Sequence, residues 1–342
     1  MLAWAPRLGC RLVWGAIALL VTAFACLPPL LSHDVYSYID YARLGVQHGL
    51  DPYVHPPASV PADSAFAHVT WTETTSAYGP LFSLATYPLA WVPVGVAVYI
   101  LKAISAAAVL ATAALVARLA PARGIDPLRA AAFVALNPLV LVHVVGGPHN
   151  DALAILLMTL GVAAVLTARE ASAGAALIGA IAVKASAGIA APFALLGAAR
   201  KKRFLTGALV MAALTAAVAN LAFGWHWLDA FTLAGENQDR TSHLSIPITT
   251  ARLTGLSPDT VRTTALAFYA LFVIYLLAWT YRGGDWLRAA AWATFGLLIA
   301  TAWLLPWYLL WPLPLAALSR DRLLQLLLLA LTAYQLGARI PL

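Results

Sequence analysis

Charge is scarce in this chain. Asp, Glu, Lys and Arg make up 10% of its 342 residues, against 62% hydrophobic ones, and a water-soluble domain of that size needs far more charged surface to cover its core. A single soluble globule is excluded, and the apolar runs instead approach the roughly 20 residues that cross a bilayer. Cysteine is nearly absent. Cys10 and Cys26 are the only two, both at or inside the first apolar run, so no framework of extracellular disulfides is available. Acids are also in short supply, with 14 Asp and Glu against 21 Lys and Arg and a formal charge of +7. Such an excess points to nucleic acid only when it forms a patch. Here it is divided among short gaps between apolar runs, at Arg118/Arg123/Arg129, Arg200-Lys201-Lys202-Arg203, Arg282/Arg288 and Arg320/Arg322, where the positive-inside rule places cytoplasmic loops. No nucleic-acid partner is implied.

What is present is a sorted succession of apolar runs. The first, 12–31, follows Arg7 and Arg11. It exceeds the apolar core of a secretory signal, so it reads as a first span with a cytoplasmic N-terminus, a cleaved leader being the alternative. Alternating the basic gaps then predicts an all-α, polytopic integral membrane protein of about eleven spans, at 12–31, 94–119, 130–145, 152–168, 173–187, 189–199, 204–223, 261–281, 287–305, 309–318 and 323–337. The short pair 173–199 is expected to bend back around Lys184 and Gly188. The whole of 1–342 reads as one transmembrane domain in the cytoplasmic membrane, with two long extracytoplasmic segments, 32–93 and 224–259. Asp34, Asp40, Asp51, Asp63, Glu73, Asp151, Asp229, Glu236, Asp239 and Asp259 fall on the outer side with Arg43, Arg240, Arg252, Arg262 and Arg339. Chemistry is therefore expected to face outward.

Segment 32–93 carries two juxtamembrane helices by its patterning. Val35, Tyr38, Ile39, Ala42 and Val46 repeat at helical spacing opposite Tyr36, Asp40, Arg43 and Gln47, and Gly49 with Asp51-Pro52 ends the pattern. An interfacial helix lying on the membrane is expected. The second, "PLFSLATYPLAW" over 80–91, is short and interrupted by Pro88, and is also expected along the surface.

Several residues could carry chemistry. Asp34 stands at the membrane boundary, where a low dielectric raises carboxylate basicity and suits a general base, though Asp at that position could equally cap a helix. Asp40 and Arg43 are three apart, the spacing of a surface ion pair of little energetic weight. In "GGPHND", 146–151, His149 and Asp151 could position a hydroxyl, cap the next helix, or hold a divalent ion beside His33 and Asp34. A metal is not expected. Lys184 lies in an apolar run, where an ammonium needs a partner or a polar cavity. It could meet a phosphate or snorkel to headgroups. Arg240 and His243, in "ENQDRTSH", suit an anionic leaving group, a solvated loop being the alternative. Trp71, Trp225, Trp227, Trp307, Tyr308 and Trp311 fall near the outer boundary, where an aromatic belt accounts for most of them and sugar stacking would account for a few.

Four stretches carry a resemblance, "DVYSY" (34–38), "YGPLF" (78–82), "NPLVLVHVVGGPHND" (137–151) and "PWYLLWPLPLAAL" (306–318). Over about residues 12–318 the chain resembles the polyprenol-phosphate-mannose-dependent α-1,6-mannosyltransferases of actinobacterial type, in the GT-C superfamily of membrane glycosyltransferases. The resemblance implies a polyprenyl phosphate mannose donor, a glycan or glycolipid acceptor, no cofactor, and a single inverting displacement at the outer face, with the lipid tail in a groove between spans. It implies Asp34 as the catalytic base. Lys184, Arg240, His243 and Arg252 are the candidates for the donor phosphate; His33, Tyr38, Asp40, Arg43, Tyr78, His149, Asn150 and Asp151 are the candidates for substrate contacts. A transferase for another lipid-phosphate sugar is the rival within the class. A lipid or solute transporter is the rival outside it, and the missing inverted repeat and mid-span carboxylate pair speak against that.

Overall fold

The computed structural model describes residues 8–236 and 239–338, so Arg7, Arg339 and the residues 237–238 of the second polar segment lie outside the described residues. Among the described residues every regular element is helical. Val94–Leu119, Lys201–Phe223 and Pro258–Tyr281 are long and apolar enough to cross a bilayer. Shorter apolar helices, Cys10–Cys26, Asp151–Leu166, Glu170–Val183, Ala185–Gly197, Trp286–Ala300 and Arg322–Gly337, stand with them. The Pro258–Tyr281 helix turns Phe268, Leu271, Ile274 and Tyr275 outward, a side that hydrocarbon can cover without leaving a backbone group unpaired.

Two of the expected spans are broken, for local reasons. The run 130–145 divides at Asn137-Pro138. The Pro127–Ala135 helix ends, the Asn137 side chain accepts the Leu139 amide at 3.0 Å, and the chain resumes as a π-helical turn, Val140–Val145. Proline has no amide for an uninterrupted ladder. The second break falls on Lys184, at the start of the expected bend around Lys184 and Gly188. Lys184 is extended, with φ −155° and ψ 122°, between the Glu170–Val183 helix and a tight turn of helix over Ala185–Ala190.

At one end of the bundle three aspartates start three helices. Asp126 accepts the Arg129 amide, Asp285 those of Leu287 and Arg288, and Asp321 that of Leu324, each cap satisfying amides the first turn leaves open. Arg123 pairs with Asp285, and Arg288 meets Asp321 at 2.7 Å. The gaps singled out by their basic residues thus converge.

The first polar segment corrects two expectations. The Asp34–Gln47 helix does not lie on the surface. Val35, Ser37, Tyr38, Ile39, Asp40, Tyr41, Ala42 and Leu44 are all buried, because 50–91 folds back over it. Gln47 and Arg43 both donate to the Ala90 carbonyl at the end of the second helical piece, at 2.5 and 3.3 Å. Nor do Asp40 and Arg43 pair. Arg43 Nε reaches Asp63 at 2.7 Å and His48 joins it at 2.8 Å; burial works against the ionised Asp63, but Arg43, the Ala65 amide and His48 together hold its pKa below the ordinary value.

Asp40 is left buried, with neither carboxylate oxygen hydrogen-bonded. Burial first, then the charge of Asp63, pushes it up to about 7 against the opposing Arg43 and His48. The native state therefore keeps a proton that the unfolded chain releases near pH 4, so this group's contribution to stability is complete below about pH 4 and is lost as pH rises through 7. Asp40→Asn, which cannot ionise, is expected to raise the thermal midpoint at pH 8 by the equivalent of at least roughly 1–3 kcal/mol, because a charge without partners costs more to bury than a neutral amide, and by much less at pH 5. An equal gain at both pH values would contradict this account.

Candidate active site

Asp34 is the first residue of the Asp34–Gln47 helix, after an N-cap His33 whose side chain makes no capping bond. Its carboxylate is turned away from the helix start. It accepts from Trp71 Nε1 at 3.3 Å, and its other oxygen lies 3.5 Å from His149 Nδ1. It opens on a cavity of about 500 Å³ whose wall includes Trp71, Tyr78, Lys184, Arg240, Trp303 and Trp307. The helix-cap reading of Asp34 does not describe this side chain.

Three further pieces of chain complete the wall. After Pro306 a single tight turn, Pro306–Leu310, presents Trp307, Tyr308 and Trp311. Trp307 stacks on His149 with ring centres 3.7 Å apart, Tyr308 stacks on Trp311 at 4.1 Å, and Trp311 Nε1 donates to Asp151 at 2.5 Å. Lys184, freed by the break in its helix, sets Nζ 2.6 Å from Asp151 Oδ2 and 5.4 Å above the Tyr308 ring. Gly79 makes the third piece possible. Its amide donates to the Val183 carbonyl at 3.2 Å, and a Cβ there would stand 2.1 Å from the Ala182 oxygen, so "YGPLF" can press against the broken helix only with glycine. Tyr78 and Lys184 become neighbours as a result. Asn150 fastens the same junction, its amide donating to Tyr38 Oη and its side chain to the Val183 carbonyl, both at 3.4 Å.

The electrostatics separate the two central groups. Burial raises the pKa of Asp34; Lys184, the Trp71 bond and His33 oppose that rise and Asp151 adds to it. Burial pulls His149 well below the ordinary imidazole range, helped by Lys184 and His143. The site therefore pairs an acid of increased basicity with an imidazole that is uncharged near neutral pH.

Of the residues selected from sequence, the structure brings Asp34, Tyr78, His149, Asp151, Lys184 and Arg240 to one place, with Tyr38 and Asn150 buried behind them. Asp151 is wholly buried and held by Lys184 and Trp311, so it anchors Lys184. Asp40 and Arg43 belong to the Asp63 cluster. His33 is exposed and meets Tyr36 edge-on, so His33, Asp34, His149 and Asp151 share no common centre. His243 and Arg252 are not brought to the cavity. Both are exposed and outside the cavity wall, because the Ile246–Thr254 helix buries Pro247 and Ala251 and turns Arg252 away. Several aromatic residues assigned to a membrane belt instead line the cavity, and Trp71 and Trp303, packed edge-on against each other, both lie against Arg240, at 4.6 and 5.5 Å from its guanidinium. The clustering of "PWYLLW" behind a proline was the available signal for part of this wall. Trp71 stood out only as one of the aromatic residues near the outer boundary, and Trp303 had no signal.

Fold and cavity define a polytopic helical membrane protein with an acid and two cations facing one aromatic-walled pocket. Comparison identifies the lineage. Residues 2–200 match the family described as alpha-(1->6)-mannopyranosyltransferase, N-terminal domain, and residues 241–337 match the MptB C-terminal domain. The chain belongs to this alpha-(1->6)-mannopyranosyltransferase family. It is 33% identical over 327 residues to alpha-(1->6)-mannopyranosyltransferase A of Mycobacterium tuberculosis, covering 84% of this chain and 61% of that protein. With alpha-(1->6)-mannopyranosyltransferase A of Corynebacterium glutamicum it shares 32% identity over 172 residues, 48% of this chain and 34% of that one. The chain thus spans less than two thirds of the length of these relatives. No solved structure matches it.

Proposed function

We propose that this protein transfers mannose from a polyprenyl phosphate donor to a hydroxyl of a glycan or glycolipid at the extracytoplasmic face, forming an α-1,6 linkage with inversion. The observation that carries the reading is the Asp34 carboxylate, made more basic by burial and aimed into a cavity that also holds Lys184 and Arg240. The acceptor oxygen bonds to the anomeric carbon as its proton passes to Asp34. The bond from that carbon to the phosphate oxygen breaks, and its electron pair leaves on polyprenyl phosphate. A cation at that oxygen acts most strongly as charge develops. Arg240, beside Trp71 and Trp303, and Lys184, balanced by Asp151, are the two that face the cavity.

An apolar groove supports a lipid donor. It lies between the Pro258–Tyr281 and Trp286–Ala300 helices, with a volume of about 560 Å³ and Phe268, Phe272, Phe295 and Ile299 in its wall. The groove and the cavity adjoin the same Trp286–Ala300 helix, which gives Ile299 to the one and Leu297 to the other. The mannose itself and the linkage rest on the names of the relatives.

The test is transfer by the full chain in lipid from radiolabelled polyprenyl phosphate mannose to a short α-mannoside, with the new linkage assigned by NMR. An α-1,6 product supports the reading. Transfer from a different polyprenyl phosphate sugar alone redirects it within the class, and no transfer from any such donor overturns it. Arg240→Ala is expected to lower kcat/KM for the donor by roughly 10-fold or more, at least the order of one charge-assisted contact of about 1.5 kcal/mol, with little change in thermal stability. An unchanged kcat/KM would remove Arg240 from the donor site.

A further inference from the structure

Lys102 is fully buried in the N-terminal half of the Val94–Leu119 helix, outside the cavity wall. An ammonium at such a position persists only where its donors are used. The structure shows where they go. Nζ donates to the Gly146 carbonyl at 2.5 Å and approaches that of Val145 at 3.4 Å, and one turn further along the same helix Ser105 Oγ donates to the Val144 carbonyl at 2.6 Å. These three successive carbonyls close the π-helical turn Val140–Val145. Carbonyls at a helix end lack intrahelical partners and carry the negative end of its dipole, which a cation complements.

The Gly146 carbonyl has a second donor, the amide of Leu30, at 3.1 Å. Leu30 precedes Asp34 by four residues and Gly146 precedes His149 by three, so this one oxygen ties together the two stretches of chain that bring Asp34 and His149 within 3.5 Å. The junction has no slack. A Cβ on Gly146 would stand 2.3 Å from the Val142 oxygen and 2.9 Å from Leu30 Cδ1.

We propose that Lys102 is a positioning residue for glycosyl transfer, which by holding the Gly146 carbonyl sets the spacing of Asp34 and His149. The inference rests on the reading of Asp34 as the base. It accounts for an intramembrane cation that touches neither substrate nor carboxylate, and for a π-helical turn next to the site, where such turns are often found.

The test compares the native chain with Lys102→Met, Ser105→Ala and Asp34→Asn in lipid nanodiscs, by steady-state transfer kinetics and amide hydrogen exchange. Lys102→Met is expected to lower kcat by roughly 100-fold, the cost of a small misplacement at a reacting centre, with the KM for donor and acceptor within about threefold of native. Exchange is expected to quicken at the Leu30 amide and across 149–151 and to stay unchanged along Lys201–Phe223. Ser105→Ala gives the same pattern at smaller amplitude and carries the test if Lys102→Met does not fold. Native kcat together with native exchange at those amides overturns the proposal, as does a loss of activity accompanied by faster exchange in every helix, which marks general stability. Full activity in Asp34→Asn overturns the base reading instead, and exchange at residues 30 and 149–151 then decides by itself whether Lys102 holds the junction.

Discussion

Asp34→Asn is expected to leave a folded protein whose kcat for mannosyl transfer is lower by at least about 100-fold, and by as much as about 10,000-fold, the range that a general base contributes. The substitution keeps the shape of the side chain and the acceptor for Trp71 Nε1, so the loss reports proton transfer and not collapse of the wall. The same carboxylate governs pH dependence. It acts only when ionised, and its pKa is raised by burial, so kcat/KM is expected to fall on the acid side at a pH above the ordinary Asp value of about 4. Asp34→Asn should lose that limb along with the rate. A folded variant with native kcat would remove Asp34 from the chemistry, and an acid limb retained by the variant would assign the titration to another group.

Breaking the Lys184–Asp151 pair carries the second large effect. The Asp151 side chain has no exposure and the Lys184 side chain is 20% exposed, so Lys184→Met strands a buried carboxylate with Trp311 as its remaining donor. Removing one partner of a buried pair typically costs about 3–5 kcal/mol, enough to lower the melting temperature severely or prevent isolation. Adding Asp151→Asn removes the stranded charge while an acceptor for Trp311 remains. The double variant is expected to recover most of the stability and none of the activity, because the cation proposed to face the donor phosphate is still missing. A calorimetric or fluorescence melt in detergent, beside the transfer assay, separates the two effects. If the double variant recovered activity as well, Lys184 would be a structural counter-ion and the phosphate would fall to Arg240.

The two predictions differ in what made them legible. Asp34 stands out in one dimension, as an acid directly after an apolar run, and sequence already allowed two readings of it. The cap reading failed for a three-dimensional reason, since Trp71 and His149, 37 and 115 positions away, face its oxygens. Lys184 stood out as a charge in an apolar run. Its partner did not, because Asp151 is 33 residues distant and comes into range only when two broken helices and the Gly79 contact bring the pieces together. Asp40 and Arg43 show the opposite error. Their spacing favours a pair, yet Arg43 finds Asp63, 20 residues along, and Asp40 is left alone.

The sequence by itself determined the all-helical membrane class, the family, and the residue types able to act at a membrane edge. Run length, charge sorting and local motifs are properties of adjacent residues, and a bilayer acts on them directly. Only the tertiary structure decided which of those residues share a cavity. It excluded His243, Arg252, His33, Asp40 and Arg43 from that wall, brought in Trp71 and Trp303, and set Lys102 against the Gly146 carbonyl. Each outcome depends on where helices break and which faces meet, and long-range contacts of that kind leave no periodic trace in the chain.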